Sequence, residues 1–178
     1  MDGVLVDARE LHYEALNRSL ASVGDNYIIT RDEHLSTYDG LPTTKKLEML
    51  TENKGLPVEK HGLVWQLKQE FTESIVDAEM TYDERMRGIL SRLRRDGYTL
   101  CVASNSIRNS VKMILLRKGL LEYFDFYYSN QDVSEPKPSV EMYLQCMIKA
   151  GASPKQTLII EDSHIGRKAA SRSGAHLC

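Results

Sequence analysis

The apolar periodicity of this chain changes once, near Thr81, and that change limits what it can fold into. From Ala8 to about Thr81 apolar residues recur at helical three- and four-residue steps, and no segment reads as a convincing strand. Leu11, Ala15, Leu16, Leu20 and Val23 form a first stripe closed by Gly24, and a second helix is expected over Thr43–Lys54, stopped by Gly55 ahead of Pro57. A third is expected over roughly Val58–Glu79, with Leu63, Val64, Leu67, Phe71, Ile75 and Val76 on one side. Beyond Thr81 helix and strand alternate. Helices are expected over Asp83–Arg95, Ile107–Lys118, Val140–Ala150 and Ser163–Ser173. Extended segments are expected over Tyr98–Ala103, Phe124–Ser129, Thr157–Ile160 and the start of a strand at Ala175–Cys178. Such alternation makes a parallel, doubly wound sheet. The expectation is an α/β core of residues 1–7 and 82–178, interrupted by a helical unit of residues 8–81.

Composition narrows the partner. Of 178 residues, 42% are hydrophobic and 27% charged, as in soluble globular proteins, and the net charge of −2 comes with no basic stripe. That argues against nucleic acid and favours a small molecule. No apolar run approaches the roughly 18 to 20 residues that span a bilayer, and no signal-peptide pattern opens the chain, which points to the cytoplasm. Cys101, Cys146 and Cys178 lack metal-ligand spacing and are read as reduced thiols, Cys101 within a core strand.

Ligand sites in open α/β sheets form outside the carboxyl ends of the strands. Asp2 lies in the opening segment Met1-Asp2-Gly3-Val4-Leu5-Val6-Asp7, Ser104 ends the Tyr98 strand, and Glu161 and Asp162 end the Thr157 strand. Lys137 sits between Pro136 and Pro138, whose fixed φ angles stiffen its loop. Carboxylates, a hydroxyl and an ammonium on one rim suit a phosphate ester and a hard cation such as Mg²⁺. Each residue also has a structural alternative: Asp2-Gly3 a plain turn, Ser104-Asn105 a helix cap, Lys137 a solvated loop residue, Asp162 or Ser163 the N-cap of the last helix.

Taken in order and spacing, Asp2-Gly3-Val4, Val102-Ala103-Ser104-Asn105-Ser106, Pro136-Lys137-Pro138 and Ile159-Ile160-Glu161-Asp162-Ser163 with Gly166 strongly resemble the haloacid dehalogenase superfamily of phosphatases and phosphomutases. The resemblance covers the whole chain and implies a Rossmann-like core with a helical cap inserted after the first motif. In that family the opening motif reads Asp-x-Asp-Gly-Val and its first Asp is the nucleophile. Met1 takes the x position, so the nucleophile and a central first strand are expected ahead of Met1, and residues 1–178 alone are expected to be a fragment, inactive and of low stability. The resemblance further implies that Asp2 is general acid and base and lends its carbonyl to Mg²⁺. Ser104 and Lys137 would hold the phosphoryl group, and Asp162 with Glu161 would hold the metal. Gly3 is expected to permit the tight turn.

Substrate readout is expected from the cap. His12 matches a hinge histidine of β-phosphoglucomutases, with an exposed helix histidine as the alternative. Tyr38–Lys46 resembles the specificity loop of that group, with Thr43 where those enzymes carry a phosphate-gripping arginine; Lys45 or Lys46 could compensate. Asn105 and Arg108 are further phosphate-contact candidates, as is Asn109. Trp65 is expected in the cap core rather than stacked on a sugar. The expected activity is Mg²⁺-dependent hydrolysis of a small phosphorylated metabolite, a sugar phosphate for instance, through an aspartyl-phosphate. The alternatives are a β-phosphoglucomutase-like mutase and an inactive phosphate- and Mg²⁺-binding or regulatory module, including one fused to another domain.

Overall fold

Leu16 and Leu20 lie one helical turn apart and are both fully buried, and the helical unit is assembled around them. In the computed structural model, which describes Met1–Cys178, helix α1 spans Arg9–Ala21. A single turn, α2 (Arg31–Glu33), follows; it is started by a capping box in which Thr30 and Glu33 bond each other's backbone N–H at 3.1 and 2.6 Å. Helix α3 (Thr43–Lys54) ends where the sequence indicates, because Gly55 adopts φ 70°, the left-handed conformation that closes helices. After the short turn Val58–Lys60 comes α4, His61–Glu79, which packs on α1. Leu16, Leu20, Ile29, Tyr38, Leu47, Leu50, Leu56 and Val64 form the core of this unit, with Trp65 packed against it.

The buried face of α4 is the expected one at Val64, Ile75 and Val76 and differs between them. Leu63 is 45% exposed, and the buried positions are Val64, Lys68, Gln69, Thr72, Ile75 and Val76. Lys68 and Thr72 are buried in place of their apolar neighbours Leu67 and Phe71, which are only partly buried. Thr72 is accommodated locally, since its hydroxyl donates to the Lys68 carbonyl at 2.7 Å.

Ala8–Glu79 forms one compact unit, and Met1–Asp7 with Met80–Cys178 forms another. The second unit carries α5 (Glu84–Arg95), β1 (Cys101–Ala103), α6 (Arg108–Arg117), β2 (Phe126–Tyr128), α7 (Glu141–Ala150), β3 (Leu158–Ile159), α8 (His164–Arg172) and β4 (His176–Leu177). The Asp83 side chain caps α5 by accepting from the Met86 N–H at 2.9 Å. Strands β1 and β2 pair in parallel, Val102 opposite Tyr127, and β3 pairs in parallel with β4, Ile159 opposite Leu177. Parallel pairing is what helix–strand alternation demands. Tyr143 and Met147 of α7, Ile159 of β3 and Ala169 and Ala170 of α8 pack into one cluster, the alanines letting that helix lie close to the strands.

Two features depart from the sequence reading. The Tyr98 strand begins only at Cys101, because the Leu100 N–H turns to the Asp125 carboxylate at 2.9 Å instead of extending the ladder. The sheet is present as two separate parallel pairs, β1 with β2 and β3 with β4. Cys101, Cys146 and Cys178 are free thiols, with Cys101 and Cys146 hydrogen-bonded to each other between β1 and α7. No helix is long and apolar enough to cross a membrane.

His34 gives the helical unit a pH dependence. Its ring is 1% exposed, packs 5.5 Å from the Tyr13 ring, and has Nε2 3.9 Å from Asp39. Burial first, then the neighbouring Lys46 and His12, lower its pKa to about 4. A folded-state value below the unfolded one means that the unfolded chain binds the extra proton. The contribution of neutral His34 is therefore full above about pH 6.5 and is lost as pH falls toward 4, a change on the order of 3 kcal/mol. Urea midpoints measured from pH 7 to 4.5 should fall in the wild type and flatten in His34→Phe; parallel slopes would remove His34 as the cause.

Candidate active site

The opening turn is set by glycine. Gly3 has φ 74°, its N–H donates to the Val6 carbonyl at 2.7 Å, and the Leu5 N–H donates to the Met1 carbonyl at 2.8 Å. A Cβ on Gly3 would lie 1.7 Å from Asp162 Oδ2, so the missing side chain is what lets the Asp162 carboxylate rest against the backbone beside Asp2. Asp2 in turn accepts from the Ser106 hydroxyl at 3.4 Å. Residues from the start, the middle and the end of the chain thus meet at one rim of the α/β unit.

Ser104 follows β1 and is buried; its N–H donates to Tyr128 at 3.0 Å and its Oγ accepts from the Ser106 N–H at 3.1 Å. Its own proton is left for a further acceptor. Lys137 is 6% exposed, and its ammonium donates to the Ala103 carbonyl and the Tyr143 hydroxyl, both at 3.2 Å, and to the Glu161 carboxylate in a close ion pair. Tyr143 donates to the same Glu161 oxygen at 2.6 Å, and Ser163 Oγ lies 3.2 Å from the other. Burial would push the Glu161 carboxyl up, but the charge and hydrogen bond of Lys137, with the Tyr143 bond, outweigh it and hold the group below its ordinary value. Burial, then the Glu161 charge, pushes the Tyr143 phenol well up.

Glycine also admits Glu161. A Cβ on Gly166, in the first turn of α8, would meet the Glu161 carboxylate at 2.1 Å. That helix is N-capped by Ser163, whose Oγ accepts from the Gly166 N–H at 3.0 Å, so Asp162 is not its cap. The Met1 backbone nitrogen lies in the same place. Its pKa is lowered by burial, and the charges that act on it are Asp2, Lys137, Glu161 and Asp162.

The carboxamide of Asn105, a phosphate-contact candidate, bonds the Lys137 backbone, donating to the carbonyl at 3.0 Å and accepting from the N–H at 2.9 Å. The guanidinium of Arg108, another such candidate, pairs with Asp132 and lies 5.1 Å over the Tyr127 ring. The loop after β2 supplies that carboxylate, which no local pattern announces. His12 and Thr43 belong to the helical unit, on α1 and in the first turn of α3. Lys45 is exposed and pairs with Glu48 at 2.8 Å, whereas Lys46 is buried beside His34. Sequence reasoning missed Tyr143, Ser106 and Arg167, whose Nη1 donates to the Glu161 carbonyl at 3.0 Å.

No group of three or more His, Cys, Asp or Glu side chains surrounds a single point. What does converge is the Asp162 carboxylate, in the space that a Cβ on Gly3 would fill, and the neighbouring Asp2, while Glu161, one residue along, turns to Lys137 and Tyr143. An all-oxygen set of this kind fits a hard divalent cation.

The family model for haloacid dehalogenase-like hydrolases matches residues 1–178. A phosphorylated carbohydrates phosphatase of Thermotoga maritima is 26% identical over 188 residues, covering 98% of this chain and 79% of that protein. The pyrophosphatase PpaX of Bacillus velezensis is 24% identical over 185 residues, covering 98% and 77%. Among solved structures, CbbY from Rhodobacter sphaeroides in complex with phosphate superposes with a TM-score of 0.88 at 22% identity, covering 99% of this chain and 81% of that one. A β-phosphoglucomutase from Clostridium difficile gives 0.86 at 22% identity, covering 99% and 79%.

The contrast between glycines supplies a test. Gly166→Ala should destabilise the protein by about 1 to 3 kcal/mol by driving into a buried carboxylate. Gly88→Ala, in α5 with nothing within 4 Å of the added Cβ, should stabilise it by up to about 1 kcal/mol. Urea denaturation decides it, and equal effects of the two changes would contradict the packing described.

Proposed function

This chain belongs to the haloacid dehalogenase-like hydrolases, and from that premise we propose a cytoplasmic, Mg²⁺-dependent phosphatase acting on a small phosphorylated metabolite of the sugar phosphate class. The observation that carries the reading is the single rim at which Asp2 bonds Ser106, the Asp162 carboxylate rests against Gly3, and Lys137 reaches both Glu161 and the Ala103 carbonyl beside Ser104. The phosphatase and pyrophosphatase names of the two relatives support hydrolysis.

In this reading the nucleophile is an aspartate immediately ahead of Met1, in the first position of the Asp-x-Asp-Gly motif. Its carboxylate attacks phosphorus and forms an acyl phosphate, while Asp2 gives a proton to the departing alkoxide oxygen. Asp2, now a carboxylate, takes a proton from the water that attacks the acyl phosphate, and inorganic phosphate leaves. Ser104 donates its hydroxyl proton to a phosphoryl oxygen, and Lys137 offsets charge on the phosphoryl group. Mg²⁺ held by Asp162 and the Asp2 carbonyl, with Glu161 adjacent, would supply the positive charge that lets an anionic carboxylate approach an anionic phosphate. Thr43 favours hydrolysis over a mutase cycle, since a neutral hydroxyl grips a second phosphate less firmly than an arginine.

In the protein expressed with that aspartate, Asp2→Asn should lower kcat by about 100-fold or more in a phosphate-release assay over sugar phosphates. Asp162→Asn should raise the Mg²⁺ concentration needed for half-maximal rate. Unchanged turnover in either variant would strike that residue from the mechanism.

A further inference from the structure

Asn105 and Lys137 are 32 residues apart, yet the Asn105 carboxamide docks on the Lys137 peptide as a neighbouring strand would, accepting from its N–H at 2.9 Å and donating to its carbonyl at 3.0 Å. The other end of Lys137 returns to the same short segment, its ammonium donating to the Ala103 carbonyl at 3.2 Å. Lys137 is therefore tied at its backbone to the residue after Ser104, and at its tip to the residue before it. A lysine side chain has many rotamers, and fixing it at both ends leaves its ammonium one place relative to the Ser104 hydroxyl. We infer that Asn105 is a positioning residue that sets Lys137 against Ser104 and makes no contact with substrate.

The positioning stands on these bonds alone; only what Lys137 is positioned for rests on the phosphatase reading. Asn105→Ala removes both bonds to the Lys137 backbone. Asn105→Asp keeps an acceptor for the N–H but sets a carboxylate oxygen against the carbonyl, so it should behave as an intermediate.

The test is trace acetylation of the full chain with acetic anhydride, reading Lys137 against the exposed Lys155 by mass spectrometry. Lys137 should label about tenfold faster in folded Asn105→Ala than in the parent, the factor expected from loss of two modest hydrogen bonds, with Lys155 unchanged. Should Asn105→Ala fail to fold, Asn105→Asp carries the same comparison with a smaller rise. Unchanged Lys137 labelling in the folded variant overturns the proposal.

Calorimetry with inorganic phosphate separates positioning from contact. Asn105→Ala should weaken phosphate binding in the parent but not further in a Lys137→Met/Glu161→Gln background, which removes the buried charge pair together. Equal weakening in both backgrounds would mean that Asn105 touches phosphate itself, and overturns the proposal. Faster labelling with phosphate affinity unmoved by any of these changes would uphold the positioning role and remove the phosphate role of Lys137.

Discussion

Lys137 and Glu161 are each more than nine-tenths buried, and neither could keep its charge there without the other. Taking one such ion out of water costs several kcal/mol even after relaxation, and it is offset only when the partner is close and the remaining polar atoms are hydrogen-bonded. Here they are: Tyr143 serves both charges, Ala103 takes a further ammonium proton, and Ser163 lies against the second carboxylate oxygen. A buried pair of this kind adds little net stability over an apolar substitute. Its effect is geometric. It ties the end of β1, the Pro136–Pro138 loop, α7 and the β3–α8 turn to one point, and Ser104, Lys137, Glu161 and Asp162 sit on those segments, with Asp2 brought to them by the opening turn.

The same pair separates the tasks of two adjacent residues. Glu161 and Asp162 follow a strand, where successive side chains point to opposite sides. Glu161 turns inward to Lys137, while Asp162 stays exposed at the rim against Gly3. Because Ser163 caps the following helix, Asp162 is not spent on its N–H groups. Glycines at positions 3 and 166 make both arrangements possible, one on each side of the turn.

What could be read from the sequence was what is local. The helix ends at Gly55 and Gly151, the parallel strands and the residues closing β1 and β3 all follow from periodicity and short motifs. What could not be read depends on partners distant in the chain. Arg108 looks like a free cation until the fold brings Asp132 to it, and Asn105 looks like a ligand contact until Lys137 arrives. Tyr143 shows only as one more apolar position on α7. On α4 the apolar pattern marks Val64, Ile75 and Val76 but not Thr72, which can be buried because its hydroxyl is satisfied within the helix.

The central claim is that one rim of the α/β unit receives a phosphoryl group. A crystal structure of the protein grown with Mg²⁺ and tungstate tests it most directly, since the anomalous signal of tungsten locates the anion without assumptions about chemistry. The account predicts tungstate within hydrogen-bond reach of the Ser104 hydroxyl and the Lys137 ammonium, with the metal on Asp162. Tungstate bound elsewhere at saturating concentration, with nothing against Ser104 and Lys137, would contradict it.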